Sequence, residues 1–327
     1  IQNDHSVVHI SSSARCEAST RTYQEVSELA DIDWDKLSFA LVPTDFIFKL
    51  WTGIFEGLKA SRKADGSILL FRPEENALRM RMGAERLCMP SPTVEHFVDA
   101  VKQVVLANKR WVPPLGKGSL YIRPLIMGSG SILGVAPSPE YTFVIFVTPV
   151  GPYFKEGLAP INLVIELETL RAIPGGTGGV KFIGNYAPVL KAKSIANANG
   201  FNDVLYLDSV HRKYLEEASA WQNHIYSINK GTILPGITRK SVIEIARSQG
   251  FQVEERLIAV EELLNADEIF CTGTAVVLSS VGSITYLGKR IEFGMNGWDV
   301  SKQLYTALTS LQMGLIEDTM GWTIAVD

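Results

Sequence analysis

The chain is poor in the residues that build small stapled or metallated proteins. Its three cysteines, Cys16, Cys88 and Cys271, lie far apart in 327 residues. Their spacing and odd number exclude a disulfide framework and a Cys-x-x-Cys metal or redox site, and imply a reducing compartment. The five histidines, His5, His9, His96, His211 and His224, form no metal-spaced cluster with cysteines or acids, so no metal site is expected. Long apolar runs are missing too: none reaches the roughly 18 residues needed to span a bilayer, and no membrane partner is expected. Charge of one sign is equally lacking, because 31 basic and 35 acidic residues are interspersed to a net −4. That leaves no basic footprint for nucleic acid and points to a small-molecule partner.

What is present is an ordinary globular composition, 46% hydrophobic and 20% charged, which excludes a disordered or fibrous chain. At this length folding buries roughly 75% of the surface an unfolded chain exposes, and single cores stop growing near 250–300 residues, so two domains are expected. The first residue is Ile1, and the stretch 5–16 is rich in serine and poor in acids. It reads either as the end of an organelle transit peptide or as a frayed terminus, with residues 1–30 adding little to the core.

Apolar, β-branched and aromatic runs predict strands at 119–127, 141–148, 161–166, 204–207, 274–278 and 283–287. Val94, Phe97, Val98, Val101 and Val105 form one face of a helix, with Ser91 as N-cap and Pro92 at the first helical position. Further helices are expected through Leu190 and Ile195 to Gly200, over 238–248 with Val242, Ile245 and Ala246 as the apolar stripe, and over a last segment carrying Leu304, Leu308 and Leu311. Two prolines and two glycines interrupt the pattern at 149–157. The expected division is a tail over 1–30, a smaller domain over 31–148, a linker over 149–159 and a larger domain over 160–327. The fold class is α/β or α+β in each half.

The most informative stretch runs from Arg171 to Tyr186 and holds five glycines within ten residues, Gly175 to Gly184, around Lys181. Glycines let a backbone approach something closely. A lysine amine serves as a covalent nucleophile when its surroundings lower its pKa, most often as a Schiff base with an aldehyde cofactor. A flexible surface loop with a solvated lysine fits the same residues. Tyr121 and Arg123 alternate with apolar neighbours on a strand and project to one face. The turn Leu234-Pro235-Gly236 runs straight into a helix, whose first N–H groups at Ile237 and Thr238 form an anion site. Glu216-Glu217 reads by itself as a solvated acidic pair. The stretch Gly128 to Gly134 has the wrong spacing for a dinucleotide loop.

The run Gly175–Pro188, together with Phe55-Glu56-Gly57-Leu58-Lys59-Ala60, Ser119–Pro124, Gly231–Arg239 and Thr272-Gly273-Thr274-Ala275, resembles the branched-chain-amino-acid aminotransferases, class IV (fold type IV) enzymes using pyridoxal 5′-phosphate. The wording is closest to plant plastid members, and the resemblance spans Trp34 to Asp327. It implies two α/β domains with the cofactor in the cleft between them, the larger one binding it, and a homodimer whose partner lends residues to each pocket. It implies that Lys181 forms the Schiff base and then moves the proton at the substrate α-carbon. Tyr186 then donates to the cofactor's phenolic oxygen and Glu217 pairs with its pyridine nitrogen. Arg79, the N–H groups of Ile237 and Thr238, and the Thr274 hydroxyl hold the phosphate. Tyr121 and Arg123 serve the carboxylate end of the substrate, with Phe55 and Ala275 beside it. The implied substrates are leucine, isoleucine and valine with their 2-oxo acids, and glutamate with 2-oxoglutarate. An aliphatic pocket separates one methylene from another by only about 1–3 kcal/mol, so all three are used. The plastid is the implied compartment, with mitochondrion or cytosol as alternatives.

The chain departs from the family in two places. Residues 46–54 pass almost directly into the Phe55 motif where family members carry additional strands, and 218–230 run quickly from Glu217 to Gly231. A cofactor-binding but catalytically weak relative is therefore the alternative reading. A D-amino-acid transaminase or an aminodeoxychorismate lyase matches the Tyr121–Pro124 and Gly175 motifs less well.

Overall fold

The computed structural model describes residues 52–326 except 130–135, 152–158, 219–221, 224–230, 295–296 and 298, together with two strand segments, 8–10 and 16–17. The tail expected over 1–30 lies mostly outside the described residues, as do most of the linker, the Gly130–Gly134 stretch and most of both shortened segments. The chain divides into two compact units, 1–153 with 312–327, and 154–311.

In the first unit the strands are β1 (Val8–Ile10), β2 (Cys16–Glu17), β3 (Thr52–Phe55), β4 (Leu58–Arg62), β5 (Ile68–Phe71), β6 (Ser119–Ser129) and β7 (Glu140–Val150), joined by a C-terminal strand, β15 (Thr323–Ala325). They make one sheet in the order β15-β5-β4-β6-β7-β1-β2, with β3 also paired to β6. The described part of the tail thus adds a strand pair at the sheet edge instead of standing apart. Period-two alternation puts Ile54, Leu58, Ala60, Ile68, Leu70, Leu120, Ile122, Ile126 and Phe143 on one buried face. Helices α1 (Pro73–Arg86) and α2 (Val94–Ala107) cover it with Met80, Ala84, Phe97, Val101 and Val105. The N-cap of α2 is Thr93, whose Oγ1 accepts from His96 N–H at 3.2 Å, not Ser91. The hydroxyl two residues further on reaches the orphan donor, and Pro92 stays outside the helix.

The opposite face of this sheet carries Phe55, Lys59, Tyr121 and Arg123, since Lys59 sits opposite Tyr121 and Phe55 opposite Leu125. The C-terminal segment returns to this unit: β15 pairs with β5, and the Arg72 guanidinium lies 4.4 Å from the Trp322 ring centroid. A second domain running unbroken to Asp327 is therefore corrected, because a three-residue strand is too short to declare which sheet it joins.

The second unit holds β8 (Ile161–Glu166), α3 (Val189–Ala198), β9 (Asp203–Leu207), β10 (Leu215–Ala218), β11 (Gln222–Asn223), α4 (Ile237–Ser248), β12 (Phe270–Gly273), β13 (Val277–Tyr286), β14 (Lys289–Glu292) and α5 (Asp299–Gln312). Its sheet runs β10-β9-β8-β13-β12-β11, with β14 also on β13. The β8–β9 and β8–β13 pairs are parallel and the others antiparallel. The helix stripes lie where the periodicity placed them, with Val242, Ile245, Ala246, Leu304, Leu308 and Leu311 all buried. The strand expected over 274–278 is corrected: 274–276 is a turn, and β13 runs on through Gly282. Val277 at φ +63° turns the chain back, and the parallel register shifts between Val281 and Ser283, so the glycine bends the strand without ending it.

Candidate active site

Within the second unit the glycine-rich loop is held in one shape by Asn185. Its Nδ2 donates to the carbonyls of Thr177 at 2.7 Å and Val180 at 2.9 Å, and its Oδ1 accepts from the Thr177 hydroxyl at 2.6 Å. The loop is therefore stapled to the single 3₁₀ turn that follows it, and the flexible-loop reading does not describe it. Lys181 leaves this staple half-buried and donates from Nζ to the Tyr186 hydroxyl at 3.2 Å. The two residues expected to act together are thus in contact.

Glu216 and Glu217 are each only 3% exposed on β10, so they are no solvated pair. Glu217 Oε1 forms an ion pair with Arg171 Nη2 at 2.9 Å, with both side chains almost wholly buried. The Leu234 N–H donates to its Oε2 at 3.4 Å. Arg171 Nη1 donates to the Thr232 carbonyl at 3.3 Å, and the Thr232 hydroxyl donates to Glu216 Oε1 at 2.9 Å. Burial pushes the Glu216 carboxyl up to about 7, against hydrogen bonding from Thr232 and the field of Arg171. Gly178 closes the ring: a Cβ there would overlap the Ala172 side chain and the Thr232 carbonyl. Residues 171, 178, 216, 217 and 232 thus form one buried polar assembly behind the lysine loop.

Helix α4 starts from Gly236 in extended conformation with no side-chain cap, and Ile237 and Thr238 are buried in its first turn. First-turn N–H groups have no partner within the helix and carry the positive end of its dipole. Helix α4 packs on β12, and the turn that continues β12 contains Thr274 and Ala275, both half-buried.

In the first unit Arg123 Nη2 donates to the Tyr121 hydroxyl at 3.1 Å, and its guanidinium stacks 4.7 Å from the Phe55 ring centroid and 5.1 Å from that of Tyr121. The same-face expectation from strand alternation holds. A Cβ at Gly57 would overlap the Tyr121 hydroxyl, so glycine lets that ring lie across the β3–β4 connection. Arg79 is buried in α1, with its Nε at 2.7 Å and Nη2 at 2.8 Å from the two Glu56 oxygens, while Asn76 Nδ2 donates to Glu56 Oε2 at 2.6 Å. One edge of the guanidinium fork, Nε with Nη2, is committed to this ion pair. Burial lowers the Lys59 amine to about 8.

The residues that sequence reasoning passed over are Arg171, Thr232, Asn185 and Glu56. Each was inside or beside a quoted motif. The available signal was a lone charged or amide group flanked by glycine and apolar residues, which is costly to bury unless it is paired.

The chain matches the class IV amino-transferase family over residues 53–284, more than half its length, and belongs to that family. Among individual proteins it is 60% identical to branched-chain-amino-acid aminotransferase 5, chloroplastic, of Arabidopsis thaliana, covering 99% of this chain and 87% of that protein. It is 53% identical to the mitochondrial branched-chain amino acid aminotransferase 1 of Humulus lupulus, over 95% of this chain and 88% of that one. The fold resembles a T.th. branched-chain amino acid aminotransferase crystallised with pyridoxamine 5′-phosphate, at TM-score 0.73 and 29% identity over 84% of this chain and 90% of that one. It also resembles the Escherichia coli enzyme, at TM-score 0.69 and 28% identity over the same shares. The first alignment spans 362 residues against a chain of 327, so the Arabidopsis relative carries at least 35 residues that this chain lacks.

Proposed function

We propose that the chain is a pyridoxal-phosphate-dependent aminotransferase that interconverts leucine, isoleucine and valine with their 2-oxo acids, using glutamate and 2-oxoglutarate as the amino partner. Membership of the class IV family and 60% identity to a branched-chain aminotransferase support the activity. The observation that carries the residue assignment is the Lys181–Tyr186 contact, in a stapled loop against the buried Arg171–Glu217 pair.

The donor set fits pyridoxal phosphate: an amine, a phenol, a buried carboxylate, a helix N-terminus and a hydroxyl match an aldehyde, a phenolic oxygen, a ring nitrogen and a phosphate. When bound, the cofactor supplies the aldehyde that takes up the amino group and the ring that accepts the electrons left at the substrate α-carbon. Lys181 would hold the cofactor at Nζ, and its amine would take and return the proton at the substrate α-carbon. Tyr186 orients the amine and donates to the phenolic oxygen. Glu217, kept charged by Arg171, holds a proton on the ring nitrogen. The N–H groups of Ile237 and Thr238, the Thr274 hydroxyl and Arg79 would take the phosphate. Tyr121 and Arg123 receive the substrate carboxylate, with Phe55 and Ala275 against its side chain. The amino group waits on the enzyme between half-reactions, so kinetics are ping-pong.

Purified protein with added cofactor is expected to show the absorbance of a lysine-bound cofactor and to transaminate leucine. Loss of both in Lys181→Ala checks the central assignment, and an active alanine variant overturns it. A second reading, a cofactor-binding protein with weak turnover, is favoured by the 35 or more residues missing relative to the Arabidopsis enzyme. A cofactor band that leucine leaves unchanged would select it. We further propose a homodimer, tested by light scattering, and a plastid location, supported by the chloroplastic names of similar proteins.

A further inference from the structure

Among the described residues, the buried assembly behind Lys181 sets the Arg171 guanidinium against two carboxyls, Glu216 and Glu217. Arg171 is paired with Glu217 at 2.9 Å, so Glu217 carries the charge that neutralises it. Glu216, the next residue, is buried to the same degree and has the Thr232 hydroxyl at 2.9 Å. The charged groups whose fields reach it are Arg171, which favours its ionisation, and Glu217 and Asp208, which oppose it. A second negative charge in this buried space is disfavoured, so burial keeps a proton on Glu216 up to about 7.

Resting on the proposed function, we infer that Glu216 is the assembly's second counter-ion, a positioning residue that gives up its proton when another cation is brought against Glu217. Without a bound group the balance is Arg171 against Glu217, with Glu216 neutral. A protonated ring nitrogen at Glu217 adds one positive charge. Ionisation of Glu216 restores neutrality, and the proton passes to solvent. The Thr232 hydroxyl serves this by donating to the carboxylate form, and Arg171 by the field it exerts on Glu216. On the proposed function Glu217 serves the ring, and its neighbour sets how firmly the ring keeps its proton.

The test counts protons. Titrating cofactor-free protein with pyridoxal phosphate at pH 6–7, by calorimetry in two buffers of different ionisation enthalpy, gives the protons released on binding. Steps common to all variants cancel in the difference. Wild type is expected to release about half to one proton more than Glu216→Gln, the range set by a group titrating near neutrality. The pH midpoint of the lysine-bound cofactor band is expected to fall by about one unit in Glu216→Gln, and in the same direction but less in Thr232→Val, which keeps the carboxyl and removes only its donor. Equal proton release and unmoved midpoints in the variants that fold would overturn the inference while leaving the proposed function intact. Failure of the wild-type chain to form the lysine-bound band would overturn both.

Discussion

Lys181 is placed by partners that lie within five residues of it, and that locality made it legible. The glycines, the lysine and Tyr186 form one continuous motif, so the 3.2 Å contact joins near neighbours in the sequence. Tyr186→Phe keeps the ring and removes the hydroxyl; a hydrogen bond to a charged group contributes about 1.5–3 kcal/mol, so kcat is expected to fall roughly 10- to 150-fold and cofactor capture to weaken with it. Arg171 behaved differently, because its partners Thr232 and Glu217 lie 61 and 46 positions away and only the fold brings them together. Its removal takes the 2.9 Å ion-pair partner from a buried carboxylate, so Arg171→Met is expected to lower unfolding stability by about 3–5 kcal/mol, measured by urea titration. The same long-range logic hid Glu56. Arg79 was expected to bind phosphate from the resemblance alone, and nothing local indicated that its fork is shared with an acid 23 positions earlier.

Elements were legible wherever a period was sustained. The alternation in β6 correctly put Tyr121 and Arg123 on one face, and the 3.6-residue stripes of α2, α4 and α5 named their buried residues. Boundaries were harder, because they depend on which of several equivalent groups satisfies the end. Ser91 and Thr93 are both acceptable caps by type, but only Thr93 reaches an orphan N–H. Thr93→Ala is expected to cost about 1 kcal/mol in thermal or urea unfolding and Ser91→Ala almost nothing. At Gly178 the constraint is contact, not conformation. An alanine there meets backbone that cannot swing aside, so Gly178→Ala is expected to weaken cofactor capture together with stability, whereas Gly66→Ala, which meets open space and costs stability only through the backbone strain of φ +85°, is expected to leave capture intact. Equal capture in both variants would show that the Gly178–Thr232 approach does not shape the site.

Across the whole molecule, two buried groups give stability an uncommon pH profile. Glu216 holds its proton to about 7 when folded and to 4.5 when unfolded, so the native state binds more protons in that window and stability falls as pH rises through it. Lys59 loses its proton near 8 when folded and near 10.5 when unfolded, so stability rises with pH between those values. These two contributions leave a shallow minimum around neutrality, and urea midpoints from pH 5 to 10 would trace it. Glu216→Gln is expected to flatten the acid limb and Lys59→Met the alkaline one. Two compact units were foreseeable from length, but β15's return to the first sheet was not, since three residues cannot announce a pairing 252 positions away. The shortness relative to the Arabidopsis enzyme is the whole-molecule feature that bears most on turnover.

The most direct measurement is a single half-reaction. Protein loaded with pyridoxal phosphate is mixed with leucine alone, and the lysine-bound absorbance is followed together with release of the matching 2-oxo acid. The account predicts that the band disappears with one equivalent of 2-oxo acid per site, that 2-oxoglutarate then restores it, and that Lys181→Ala does neither. A band that forms normally yet persists in leucine, with no 2-oxo acid released, would contradict it.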